Sequence, residues 1–357
     1  MTDEQKALRD AVRGALGRHA SPAAERNVSA APPALDEAVW SALAEVGVPA
    51  LPWSEEDGGV GAGVADVAVV AAELGRARVQ VPLAEVVAAG AMIRACAPGA
   101  RRAELLGAIS EGAVVVPALA EPMRAWSPRP HDVTATANGE QWQLSGTKAP
   151  VRYAPAATHL LVTAATDAGT GLFLVSEPGA DSEQVEFDRR DADLLAQGEE
   201  ADAAIAAGLA VGGAVLCSEA VGAMDAALRM TTEYLKTREQ FGRPLAAFQT
   251  LTQRAADMYA QVELARSAAL FAALVADDEQ VGVDDILRAR VVVDKAGRHV
   301  GREAIQLHGG IGVTAEYPVG HLTARLGDIS RTWGDTRHHL RDLGSRIGDH
   351  GRVEVLS

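Results

Sequence analysis

The order of apolar and polar positions divides the chain into three stretches, the first of which is helical. Four apolar residues after Asp36 recur at the spacing of one helix face: Val39, Trp40, Leu43 and Val46. Asp36 is placed to cap this helix. The same spacing predicts a helix over 64–74, which Gly75 is expected to end. Together these patterns predict an N-terminal helical domain over residues 1–111.

The second stretch changes from helical spacing to short extended runs. Five runs rich in β-branched residues follow one another between turn signals: AVVVPALA, DVTATA, QWQLSG, HLLVTAA and GLFLVSE. Asn138-Gly139 is a typical hairpin turn between two of them. The runs predict an all-β middle domain over residues 112–200.

Helical spacing returns near residue 201 and continues to the last part of the chain. Three long apolar stripes can be traced: Val221, Met224, Leu228, Thr231 and Leu235; Leu251, Ala255, Met258, Val262 and Ala265; Ile286, Ala289, Val293, Ala296, Val300, Ala304 and Leu307. Long stripes of this kind are typical of helical bundles. We therefore expect a C-terminal bundle domain over residues 201–357, and an α+β multidomain fold as a whole.

Composition and charge exclude several classes of function. The 33 Lys and Arg residues against 48 Asp and Glu give a formal charge of −15, so the basic surface that nucleic-acid binding needs is not expected. The longest uncharged run, 203–218, is shorter than the roughly 20 residues of a membrane span. The N-terminus has no signal-peptide pattern, and Cys96 and Cys217 have no metal-ligand spacing. The sequence predicts a cytoplasmic protein without a membrane span or a metal site.

One candidate binding segment reads TREQFGRPL and is followed by Phe248-Gln249. Arg238 offers a planar set of donors, Phe241 an aromatic ring and Gln249 an amide at the start of the next helix. Such a set is suited to gripping a nucleotide. The alternative is an ordinary helix end with a cation near its C-terminal dipole.

A second candidate segment reads QLHGGIGV and begins at Gln306. Three glycines within four positions, Gly309, Gly310 and Gly312, allow a backbone to approach a ligand closely. The Gln306 amide precedes them by about one helical turn and can bond a polar edge. The alternative is a plain glycine helix cap.

Together the two segments resemble the signature regions of the acyl-CoA dehydrogenase family, in order and separation. VWSALAEVGVPALPWSEEDGGVG and WQLSGTK are similar to further stretches of that family. The resemblance implies an N-terminal helical domain, a middle β-barrel and a C-terminal four-helix bundle. It also implies FAD bound between barrel and bundle at a subunit interface, and therefore an oligomer.

By position, the resemblance assigns the adenylate and pyrophosphate of FAD to five residues: Arg238, Phe241, Gln249, Gln306 and Gly310. The FAD they hold would be largely that of a neighbouring subunit. Thr336 would be a flavin-contacting threonine. An electron-acceptor protein would reoxidise the flavin.

The family reaction needs a carboxylate that removes the α proton of an acyl-CoA while the β hydride passes to the flavin. The usual Glu precedes a Gly-Thr pair, but here Gly334 stands at that place and Asp335 at the glycine. A subset of relatives carries the Glu on the first bundle helix, where this chain has Gly212. Neither expected base is present.

The flavin-covering segment of the barrel also departs from the family pattern. Pro150-Val151-Arg152 stands where much of the family has Trp-Ile-Thr. The glycine-serine stretch expected after Glu121-Pro122 reads MRAWSPRP. The resemblance therefore implies a barrel that holds flavin poorly.

Three hypotheses follow from these departures. In the first, the chain is the non-catalytic subunit of a heteromeric enzyme, for example a heterotetramer with a related dehydrogenase subunit, acting on a CoA thioester of a lipid or sterol side chain. In the second it is a self-sufficient flavin dehydrogenase or oxidase, as a homo-oligomer, whose base is Asp335 or, less directly, Glu219. In the third it keeps the fold as a scaffold or ligand-binding protein without turnover.

His338 and His339 follow Asp335 closely and raise the question of a metal or proton relay. Because adjacent side chains on a helix diverge, we expect a polar surface pair instead.

Overall fold

A computed structural model describes residues 1–20, 34–96, 99–139, 141–277, 283–314 and 316–349. Its N-terminal part contains five helices, α1 to α5: Asp3–His19, Glu37–Glu45, Val64–Ala77, Leu83–Cys96 and Gly99–Ser110. Asp36 caps α2 as predicted, because its carboxylate accepts the backbone N–H of Val39 at 3.2 Å. Val39, Trp40 and Leu43 are buried, whereas Val46 is exposed.

Gly75 does not end a helix, which corrects the prediction from its position. Helix α3 continues to Ala77 and ends at Arg78, which has left-handed backbone angles. Gly75 lies where α3 crosses the first bundle helix, and a Cβ there would collide with the backbone oxygen of Glu219. The glycine serves close helix packing, which local sequence does not distinguish from a cap.

The middle part is a closed barrel of six strands, β1 to β6: Val115–Ala118, Thr134–Asn138, Gln141–Lys148, His159–Thr166, Gly169–Ser176 and Val185–Gln197. Strand β5 pairs antiparallel with β4 and β6, and β3 pairs antiparallel with β2 and β6. The other edge of β4 pairs in parallel with β1 and, at one position, with β2, which closes the barrel.

The sequence pattern predicts the first five strands and misses β6. Its residues VEFDRRDADLLAQ are strongly charged, and only some of them face the barrel interior. Pairing with β3 and β5 supplies the hydrogen bonds that make it a strand. This tertiary pairing overrides its weak local preference.

A buried ion pair fixes the segment that follows β1. The Lys148 ammonium, fully buried, lies 2.9 Å from a Glu121 carboxylate oxygen and also donates to the Leu119 carbonyl and the Thr163 hydroxyl. The same carboxylate accepts backbone N–H groups of residues 131–133. Burial would raise the pKa of Glu121, but the bond from Lys148 and the backbone donors hold it below its usual value. The bonds of Glu121 therefore hold both ends of the loop that carries Trp126 in place.

The C-terminal part is helical and contains α6 to α10: Glu199–Thr237, Gln249–Val275, Val283–His308, Pro318–Ile329 and Thr336–Ser345. Helices α6 to α9 form a four-helix bundle, and α10 packs against α8. The predicted stripes of α6 and α8 are entirely buried, as are Met258, Val262 and Ala265 of α7. The predicted fold class is confirmed. The three predicted domain ranges remain a proposal.

Two of these helices, α6 and α7, are long and apolar enough to cross a membrane by length and hydropathy. The most apolar window of α6 is 72% buried within the protein, since this helix contacts both the bundle and the N-terminal helices. The corresponding window of α7 is only 33% buried. The apolar character of α6 is explained by the core, whereas α7 presents apolar side chains outward.

Candidate cofactor and active site

Aromatic contacts bring the ends of three bundle helices together. Tyr234, near the end of α6, stacks on His308 at the end of α8 with ring centroids 4.5 Å apart. Tyr317, just before α9, lies 4.9 Å from the same imidazole. An ion pair of 2.6 Å between Arg254 and Glu303 joins the start of α7 to this end of α8. The two candidate binding segments therefore lie at the same end of the bundle.

All five residues assigned to the FAD adenylate and pyrophosphate are exposed at this end, and we call them the bundle-end surface: Arg238, Phe241, Gln249, Gln306 and Gly310. Arg238 follows α6 directly, and Gln249 is the first residue of α7. A guanidinium, a ring and two amides without a covering layer fit a nucleotide held partly by another chain.

The Phe241 ring is presented by a tight turn between two short paired segments, Glu239–Gln240 and Arg243–Pro244. Phe241 has a φ of +53° and is 92% exposed. A large residue in left-handed conformation with its ring in solvent is costly, and such strain is typical of binding sites. The ring has an edge-on aromatic contact with Phe248, with centroids 6.1 Å apart, and this contact leaves most of the ring in solvent.

Thr336 lies elsewhere, in the interior. Its hydroxyl accepts a hydrogen bond from the Arg298 guanidinium at 2.9 Å and lies 3.5 Å from an Asp294 carboxylate oxygen. Burial raises the pKa of Asp294 to about 6, against the opposing influence of Arg290 and Arg298. The predicted flavin contact of Thr336 stays a prediction.

Asp335 is exposed and begins α10. Its carboxylate accepts the backbone N–H of His338 at 2.8 Å, so it is the N-cap of the helix. This hydrogen bond gives Asp335 a structural function that any residue with a short polar side chain can perform. Its role as a base stays a prediction.

Gly334, the usual position of the base, cannot carry a side chain without rearrangement. Its φ is +100°, and a Cβ there would lie 2.9 Å from the His338 ring and 3.0 Å from the His339 ring. Both the backbone conformation and the neighbouring imidazoles therefore exclude a glutamate in the observed geometry.

Gly212, the alternative position of the base, is closed by a tryptophan. A Cβ on Gly212 would collide with the Trp333 ring and with the Ala88 side chain of α4. One turn back on α6, Gly208 is covered in the same way by Met92. Glu219, the other carboxylate considered on α6, is buried and bonded to Arg325 at 2.7 Å. None of these three positions on α6 therefore offers a carboxylate to this space.

The barrel mouth holds a cavity of about 390 Å³ that includes the segment expected to cover flavin. We call it the barrel-mouth cavity. Arg152 lines it and forms an ion pair of 2.9 Å with Glu85, and one of its terminal nitrogens has no partner among the described residues. Glu183 also lines it, and burial raises the pKa of that carboxyl. A charged Arg152 and a half-buried Glu183 are poorly matched to the face of a flat isoalloxazine ring, and poor flavin binding by this barrel stays a prediction.

One prediction about α10 is wrong, and two tryptophans near this helix were not predicted. His339 is only 2% exposed, so His338 and His339 are not a polar surface pair. The sequence analysis also missed Trp126 and Trp333, which line the barrel-mouth cavity. The signal that could have identified these residues is a tryptophan inside a polar stretch, such as SRTWGDTRHH.

Comparison with known proteins agrees with this architecture. The model of the acyl-CoA dehydrogenase N-terminal domain matches residues 2–113, and that of the C-terminal domain matches residues 202–346. Acyl-CoA dehydrogenase IpdE2 of Mycobacterium tuberculosis is 31% identical over 97% of this chain and 98% of its own length. The chain belongs to the acyl-CoA dehydrogenase family.

Two solved structures resemble the chain over almost its whole length. A variant of the Tcur3481-Tcur3483 steroid ACAD matches at a TM-score of 0.86 with 32% identity, covering 97% of this chain and 98% of that one. A chain of the ChsE4-ChsE5 complex from Mycobacterium tuberculosis matches at a TM-score of 0.85 with 26% identity. The match covers 99% of the present chain and 99% of that one. Membership of the acyl-CoA dehydrogenase family supports, at family level, flavoprotein oxidoreductase chemistry on CH–CH bonds.

Proposed function

We propose that this chain is the non-catalytic subunit of a heteromeric, FAD-dependent acyl-CoA dehydrogenase. The observation that carries the proposal is the closure of both base positions. His338 and His339 fill the space at Gly334, and Trp333 fills the space at Gly212. Without a carboxylate at either position, the two places from which the family takes its base offer no acceptor for the α proton of a thioester.

The distribution of cofactor residues supports a shared flavin. The bundle-end surface fits the adenylate and pyrophosphate of FAD, whereas the barrel-mouth cavity is poorly matched to the flavin ring. The chain therefore holds one end of an FAD whose isoalloxazine lies on the barrel of a partner. When bound, FAD supplies the hydride acceptor. Arg238 neutralises phosphate charge, and Phe241 and Gln249 orient the nucleotide.

An apolar outer face supports assembly with another chain. Five large residues of α7 are about half exposed: Tyr259, Leu264, Leu270, Phe271 and Leu274. An apolar face of this extent on one helix is typical of a subunit interface. We infer a heterotetramer built with a related dehydrogenase subunit.

The substrate class and cellular context follow from the relatives. The Tcur3481-Tcur3483 relative is named a steroid ACAD, so we propose a CoA thioester of a sterol or lipid side chain as the substrate of the complex. An electron-acceptor protein would reoxidise the flavin. Location in the cytoplasm, without a membrane span, is part of the same proposal.

The decisive experiment is to purify the chain alone and together with the product of an adjacent dehydrogenase-like gene. We expect colourless protein alone and a yellow mixed complex with about one flavin for every two chains. Arg238→Met in the complex should lower flavin content, while Arg18→Met, which removes an exposed cation on α1, should leave it unchanged. One flavin per chain in the isolated protein would contradict the proposal, and a complex that stays colourless would indicate a scaffold.

Asp335→Asn tests the self-sufficient alternative directly. If Asp335 is only a helix cap, the variant should reduce flavin at a near-normal rate in the mixed complex, since asparagine also caps helices. A large loss of flavin reduction, with flavin content and assembly unchanged, would make Asp335 the base.

A further inference from the structure

A second cavity, of about 370 Å³, lies between α6, α8, α10 and the 126–129 segment, and we call it the α6–α10 cavity. Its walls are mainly apolar and include Ile205, Leu209 and Ile286. Trp126 and Trp333 line both this cavity and the barrel-mouth cavity, so the two indoles lie between them. The volume is within the range of small-molecule sites.

Buried N–H groups on this cavity lack partners. The Arg290 guanidinium is 3% exposed; one terminal nitrogen donates to the Ile329 and Thr332 carbonyls at 3.0 Å, but its Nε has no partner among the described residues. The Trp126 indole N–H is likewise buried and has no partner among the described residues. Buried donors of this kind are rare in proteins unless a ligand or water satisfies them.

Arg290 is the one cation on the cavity wall that forms no ion pair with another described residue. Both carboxylates on its wall are already paired: Asp202 with Arg129 at 3.1 Å and Asp342 with Arg346 at 2.8 Å. Arg290 has no carboxylate within 4.0 Å in the described part of the chain. Burial and the nearby Arg290 lower the pKa of His339 to about 3, so the imidazole is neutral at pH 7 and adds no charge. Arg290 acts against the raised pKa of the nearby Asp294 without forming an ion pair with it, and its Nε, bonded to no described residue, keeps a donor free for a ligand.

We propose that the α6–α10 cavity binds an apolar molecule that carries a single carboxylate. The carboxylate accepts hydrogen bonds from Arg290 and the Trp126 indole, and the apolar part lies against Ile205, Leu209 and Ile286. The site consists of this chain's own residues. The binding proposal is independent of the proposed function. Only the expectation that the bound molecule is not converted rests on the proposed function, because the adjoining Gly334 offers no base.

Titration calorimetry with decanoate tests the site on the full-length chain, alone and in the mixed complex. We expect saturable binding of one decanoate per copy of this chain, and binding of decanol at least tenfold weaker because it lacks the charge. Trp126→Phe removes the indole donor, keeps a smaller aromatic ring in its place, and should weaken decanoate binding about tenfold. This readout is independent of the flavin ratio, so the two proposals fail separately.

A pair of substitutions on α6 separates the cavity from other binding surfaces. Ala206 lines the cavity and Ala207, the next residue, does not, although both are half-buried. Ala206→Phe should abolish decanoate binding, and Ala207→Phe should leave it intact. Binding that survives Ala206→Phe, equal affinity for decanol, or a crystal structure grown with decanoate that shows only water at Arg290 and Trp126 would overturn the proposal.

Discussion

At the scale of single residues, the loop between α9 and α10 shows how local packing excludes a glutamate from the position where the family usually has its base. Gly334 has a backbone conformation that suits glycine alone, and the rings of His338 and His339 occupy the space beside it. Asp335 is the N-cap of α10. The sequence revealed the missing base, but the closure of its space depends on side chains that only the folded loop brings together.

The cap function of Asp335 predicts a difference between two substitutions. Asp335→Ala should lower the free energy of unfolding by about 1 kcal/mol, because the first turn of α10 loses its acceptor. Asp335→Asn should stay close to wild type. Urea denaturation of the two variants measures this difference, and equal losses would show that the cap contributes nothing.

The buried Asp294 predicts a specific pH dependence. Because burial raises its pKa to about 6, the folded state holds this proton more tightly than the unfolded state. The resulting stabilisation is complete below about pH 4 and is lost as the pH rises through 6. Asp294→Asn imitates the protonated form, so wild type should lose about 2 to 3 kcal/mol relative to this variant between pH 4 and pH 7. If denaturation shows that the free energies of unfolding of wild type and Asp294→Asn change in parallel with pH, the assignment is contradicted.

At the scale of elements, the crossing of α3 and α6 couples the N-terminal helices to the bundle. Gly75 of α3 meets the backbone of Glu219, and Gly222 of α6 meets the backbone of Ala72. Glycine on both helices permits this approach, since no side chain separates the two backbones. The apolar stripe predicted the buried face of α6, but not which of its glycines would touch another helix.

This crossing predicts that a single methyl group is disruptive there. Gly222→Ala should lower the free energy of unfolding by about 2 to 3 kcal/mol, because the Ala72 carbonyl is backbone and cannot move aside easily. Gly107→Ala in α5 is the control, since no atom lies within 4 Å of a Cβ there. The control should gain about 0.5 to 1 kcal/mol from lower chain entropy in the unfolded state. Similar effects at both sites would refute the close-crossing explanation.

At the scale of the whole molecule, the proposed assembly accounts for two sets of exposed apolar side chains. Phe241 is almost fully exposed at the bundle end, and α7 keeps large apolar residues on its outer face. A partner that covers both surfaces would gain apolar burial and a shared nucleotide site. The proposed heteromer therefore explains both surfaces with one cause.

The α7 face predicts the effect of charge on assembly. Leu270→Glu combined with Leu274→Glu places two carboxylates on that face, where desolvation on association would be costly. We expect the mass measured by light scattering to fall to a smaller species while the circular dichroism spectrum is unchanged. Leu340→Glu, at an exposed leucine of α10, is the control, and an unchanged mass for the α7 variant would exclude this face as an interface.

The amino-acid sequence by itself determined the order of helices, strands and helices, the buried stripes of α6 and α8, and the absence of a base at 334 and 212. Each of these depends on local periodicity or residue identity, which can be read one segment at a time. Tertiary structure alone decided that β6 is a strand, that Gly75 is a contact point, and that Trp333 and the two histidines close the vacant positions. These features arise from contacts between residues far apart in the chain, so their energies do not exist until the segments meet.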